Sequence, residues 1–137
     1  MRPIKKIVVH CSDSDLEAHD SPEIIRIWHL ERGWDDIGYH FVITKNGALW
    51  PGRLIRQIGA HVKNHNKTTI GICLTGRSSF SLKQMETLQK TLWNLLDVFG
   101  LTIQDVVGHY ELDHLKTCPN IDMDTIRSKL WNSNQLT

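Results

Sequence analysis

Two hydrophobic periods divide this chain. Residues 4–12, "IKKIVVHCS", are rich in β-branched residues and read as a first strand. In "SPEIIRIWHLERGW" the period changes. Ile24, Ile27, Trp28 and His29 fall near helical spacing with Ile25 broadening the stripe, Ser21 and Pro22 suit the start, and Gly33 suits the stop. "YHFVITKNGALWPG" reads as a hairpin turning at Asn46-Gly47. "RLIRQIGAHVKNHNKTT" has no clean period and reads as loop, and "IGICLTG" is a short buried strand. Ser81 then caps a long helix whose apolar face is Leu82, Met85, Leu88, Leu92, Leu95, Leu96 and Phe99, ended by Gly100. "DVVGH" is a strand end, "DMDTIRSKLW" a last helix, and residues 132–137 a frayed tail. The order β-α-β-β-loop-β-α-β-loop-α predicts an α/β fold: one domain over residues 1–137, with a central mixed sheet flanked by about three helices.

Composition narrows the function classes. The chain has 137 residues, 40% hydrophobic and 23% charged, as an ordinary globular domain has, and its net charge of +1 offers no footprint for nucleic acid. The opening "MRPIKKIVVHCSD" lacks the apolar stretch of about 7–15 residues that a signal peptide needs. No run of about 20 apolar residues suggests membrane insertion. The expectation is a monomer made in the cytoplasm without a signal peptide. Cys11, Cys73 and Cys118 are odd in number and far apart, which argues against a disulfide framework.

Eight histidines are the unusual feature. A catalytic zinc site needs three N, S or O ligands and one open position. His10 at a strand end, with His109 and Cys118 about a hundred residues later, would supply them. His40, His61, His65 and His114 compete for the same role, and spacing alone does not choose among them. Side chains alternate along a strand, so His10 and Cys11 face opposite sides and would not share a metal. Cys11 and Cys73 read as core residues of apolar strands.

The segments "VVHCS", "RGWDDIGYHFVI", "NGALWPGR", "GAHVKNHN", "IGICLTG" and "GHYELDHLKTCP" together resemble the type-2 N-acetylmuramoyl-L-alanine amidases, which include amidase-type phage lysozymes and are similar to peptidoglycan recognition proteins. The resemblance runs from about residue 4 to residue 131. It implies one zinc ion per chain held by His10, His109 and Cys118, and a catalytic pair in Tyr39 and Lys116. It also implies a substrate cleft lined by His40, His61 and Asn66. Zinc would activate a water, Lys116 would stabilise the oxyanion with it, and Tyr39 would hydrogen-bond the water or the developing oxyanion and could relay a proton. Many relatives carry a proline between the second histidine and the lysine. Here His114 and Leu115 occupy that region, and His114 is expected not to bind the metal.

The implied reaction cuts peptidoglycan between N-acetylmuramic acid and L-alanine. The implied role is a phage or prophage endolysin, with a cytosolic recycling amidase acting on soluble muropeptides as the alternative. A non-catalytic peptidoglycan-binding module is a further rival. Such relatives typically lack the cysteine ligand, which this chain keeps at Cys118.

Overall fold

The computed structural model describes residues 1–136, with side chains through Asn132. Five strands form one sheet in the order β3-β2-β4-β1-β5. They are β1 (Lys6–Cys11), β2 (Phe41–Ile43), β3 (Leu49–Pro51), β4 (Thr69–Leu74) and β5 (Val106–Gly108). β1 pairs in parallel with β4 and β5, β2 pairs in parallel with β4, and β3 is antiparallel to β2. The mixed α/β sheet is the one expected from the element order.

The helices are α1 (Pro22–Glu31), α2 (Leu82–Phe99), the single turn α3 (His109–Leu112) and α4 (Met123–Leu136). The helix α4 continues through Leu136, past the point where a frayed tail was expected; the side chains of residues 133–137 lie outside the described residues. Ser81 caps α2 by accepting from the Gln84 N–H, and the Gln84 side chain accepts from the Ser81 N–H in return. Gly100 ends the helix in the left-handed region, at φ 63°.

The expected stripes hold except at single positions: Met85 and Phe99 of α2 pack against the core as expected, as Trp28 of α1 does on its own face. In α2 the buried positions are Leu88, Leu92, Leu95 and Leu96 with Gln84 and Thr91, whereas Leu82 is exposed. Leu82 is the first helical residue, and the face it would continue is taken by Gln84, which donates to the carbonyls of Ile43 and Thr75. In α1 the stripe centres on Ile25 and His29, four residues apart, and Ile27 turns to solvent. The hairpin closes on Asn46-Gly47: the Gly47 N–H donates to the Thr44 carbonyl and φ at Gly47 is 84°, a turn completed by one left-handed residue.

The period-two alternation of β1 gives the two faces of the sheet different work. Ile7 and Val9 join Ile70, Ile72, Leu74, Leu88, Leu92 and Val106 in the main core under α2 and α4. Each such residue stabilises the fold by about 1.5–3 kcal/mol through burial. Val8 and His10 point the other way, together with Gly71 and Cys73, their partners in the β4 register. α1 covers only part of this second face, where its Ile25 clusters with Ile37, Val42 and Cys73 and its Trp28 packs beside them. The remainder carries the polar cluster described next.

Candidate active site

His10 lies near the end of β1 and is 1% exposed. The neighbouring strand β5 stops at Gly108, paired with Val9, so His109 is delivered beside it, with ring centroids 4.6 Å apart. Gly108 is required there for space: a Cβ would meet Met123 Cγ at 2.7 Å. The chain then makes the single turn α3 and returns. The Tyr110 N–H donates to the Cys118 carbonyl at 3.0 Å, and the Cys11 N–H donates to Cys118 Sγ at 2.9 Å. The turn is clamped from α4. Arg127 donates to both oxygens of Glu111 and to the Val106 carbonyl, while Glu111 accepts from the Gly108 N–H.

Ligand atoms of His10, His109 and Cys118 consequently lie within 4.8 Å of one another. Two imidazoles and a thiol at this separation are a donor set suited to zinc, with three protein ligands and room for a fourth. The acid–base state is suitable too. Burial, reinforced by His61 and His109, holds His10 well below the usual histidine range, and burial with the Lys116 charge lowers His109, so both rings are neutral as ligands must be. The Cys11 thiol and burial push the Cys118 thiol up; a cation beside it would reverse that preference.

The other expected residues divide. Tyr39 packs its ring 5.0 Å from that of His10, and burial beside Cys73, Cys118 and Cys11 pushes its hydroxyl well above the usual range, so it stays protonated. Lys116 is exposed on the loop before Cys118, near enough to depress His109. His114 is exposed and stands outside the three-ligand cluster. His40 is engaged inside the protein. It is 1% exposed, Nδ1 accepts from the Gly71 N–H, and Nε2 donates to the Gln57 carbonyl, so both ring nitrogens have partners in the protein. His61 lies on the sheet with Nδ1 2.8 Å from His10 Nε2 and Nε2 3.2 Å from Thr69 Oγ1; burial lowers it to about 3. Asn66 holds the His61 loop, its Oδ1 accepting from the N–H groups of His61 and Val62.

Three further residues support the site without having been singled out for it in the sequence. His29 accepts from the Gly38 N–H and packs its ring 5.3 Å from Tyr39, setting that side chain's approach. Thr69 and Gly71 precede Cys73 at a period of two. That spacing puts them on the His10 face and was the available clue.

The sequence model of the N-acetylmuramoyl-L-alanine amidase family matches residues 1–121. The endolysin of Escherichia phage T7 is 34% identical, over 95% of this chain and 87% of its own length. The endolysin of Klebsiella phage KP32 is 32% identical, over 96% and 87%. Among solved structures, the N-acetylmuramoyl-L-alanine amidase LysC from Clostridium intestinale URNW superposes with a TM-score of 0.83 at 29% identity, covering 94% of this chain and 86% of that one. Drosophila PGRP-LB superposes at 0.71 with 26% identity, covering 87% and 76%.

Proposed function

The chain belongs to the N-acetylmuramoyl-L-alanine amidase family, and on that premise we propose that it is a zinc-dependent amidase that hydrolyses the N-acetylmuramic acid–L-alanine amide of peptidoglycan, acting as a monomeric phage or prophage endolysin with one zinc per chain. The observation that carries this reading is the meeting of His10, His109 and Cys118 within 4.8 Å, with Tyr39 against His10. The endolysin role is supported by two phage endolysins similar across nearly the whole chain. Among the described residues no helix is long and apolar enough to cross a membrane.

His10, His109 and Cys118 would hold the ion, which when bound supplies Lewis-acid polarisation and a lowered water pKa. The protein's own groups do the rest. Tyr39, held protonated by burial, donates a hydrogen bond toward the oxygen of the scissile carbonyl as charge develops there. The Lys116 ammonium, at the open side of the site, adds positive charge for the same oxyanion. His61 orients His10 from behind and is not a ligand. Asn66 contributes by fixing the His61 loop.

The test is incubation of purified sacculi with the zinc-loaded protein, with chelator-treated protein, and with Cys118→Ser. New L-alanine amino termini should appear only in the first. If zinc-loaded protein releases none, the amidase reading fails. Comparison of rates on intact sacculi and on soluble anhydro-muropeptides separates the two roles: faster turnover of the soluble fragments would replace the endolysin role with recycling.

A further inference from the structure

Behind the three candidate ligands, a chain of hydrogen bonds runs from β4 to His10 and ends on a backbone carbonyl. Thr69 Oγ1 lies 2.8 Å from the His65 carbonyl oxygen, which can only accept. The single hydroxyl proton of Thr69 is therefore committed to His65. Thr69 Oγ1 also lies 3.2 Å from His61 Nε2, and with its proton spent it can only accept there. His61 must then carry its proton on Nε2, which leaves Nδ1 as an acceptor. The His61 Nδ1 faces His10 Nε2 at 2.8 Å, so His10 donates from Nε2. A neutral imidazole has one proton, and His10 is left with its lone pair on Nδ1.

We propose that Thr69, acting through His61, is a positioning residue that fixes the tautomer of His10 and so presents His10 Nδ1 to the metal. Two features of the fold serve this path. Thr69 and Gly71 stand on the face of the sheet that carries His10, because Lys6, Val8 and His10 register with Thr69, Gly71 and Cys73 in parallel strands. Gly71 clears the route between Thr69 and His10: a Cβ there would lie 2.7 Å from both Cγ and Nδ1 of His61. The His65 carbonyl that starts the chain is set by the loop Asn66 holds in place, since Asn66 Oδ1 accepts from both His61 and Val62. Partners that orient the far nitrogen of a ligating histidine typically alter metal affinity by about 10–100-fold when removed.

This inference rests on zinc binding at His10, His109 and Cys118, and the experiment separates the two. Zinc affinity is measured by competition with a fluorescent chelator for the wild-type protein, Thr69→Val and Thr69→Ser, with apo-protein Tm recorded for each. Thr69→Val, isosteric but without an acceptor, should bind zinc about 10–100-fold more weakly, while Thr69→Ser stays within about threefold of wild type. If wild type binds no zinc, the proposed function falls. If wild type binds and Thr69→Val binds equally well, the role of Thr69 falls alone. Nitrogen-15 shifts of the imidazoles in the wild-type apo-protein give a readout independent of any variant's folding. Both His10 and His61 should be protonated at Nε2 and bare at Nδ1, and a His61 proton on Nδ1 overturns the proposal.

Discussion

The absence of a side chain at residue 71 shapes this site as much as any ligand does. His61 lies flat on the sheet only because Gly71 has no Cβ, and Gly59 makes a second close approach, with a virtual Cβ 2.8 Å from His61 Cδ2. Gly71→Ala should displace the imidazole, since the alternative is a backbone shift in a fully buried strand. The expected result is a loss of hydrolysis of more than about tenfold with the far-UV spectrum retained, and a stability loss of about 1–3 kcal/mol from overpacking, read by urea unfolding. Unchanged turnover would mean that the ring has room the structure does not give it.

At the scale of elements, the site depends on a one-turn helix too short to be stable alone. α3 keeps its place because Arg127, from α4, binds Glu111 through two nitrogens at 2.8 and 3.0 Å and the Val106 carbonyl at 2.8 Å. Arg127→Met should therefore lower stability by about 1–3 kcal/mol, seen as an earlier urea midpoint, and, if the proposed zinc site holds, speed the loss of its zinc to chelator. Retention equal to wild type would show that β5 alone positions His109. The strands and long helices that carry these clamps were legible in the sequence, because β-branched runs, the Ser81 cap and the Asn46-Gly47 turn are local signals. The cross-element contacts were not. Nothing in the spacing of Glu111 and Arg127 announces a pair, and His40 matched a family motif while its burial depended on how strands β2 and β4 stack. Single positions of the α1 and α2 stripes, Ile27 and Leu82, departed for a similar reason: which residue turns inward is decided by the partner surface, where Gln84 is buried and donates to two carbonyls while Leu82 faces solvent. The period of two placed Thr69 on the His10 face, but its part lies in hydrogen-bond direction, which no residue pattern encodes.

For the molecule as a whole, buried neutral histidines link folding to pH. Burial holds His29 and His40 at about 4 each, against a value near 6.5 in the unfolded chain. Between those values the unfolded chain binds more protons than the folded one, so stability rises with pH across the window and is lost as pH falls from about 6.5 toward 4. Urea midpoints of the chelator-treated protein should decline steadily from pH 7 to pH 4.5, and a flat profile would contradict the neutral burial of these rings. One further consequence follows from where the ligands sit in the sequence. His10 belongs to the first strand, His109 and Cys118 follow the last one, and nearly the entire fold lies between them. An ion held by all three would act as a clasp on a ring of about a hundred residues, and closing so long a ring in an unfolded chain is entropically unfavourable. The full three-ligand site would exist only once β1 and β5 have come together, so tight capture of the metal would mark the completion of folding as well as the start of chemistry.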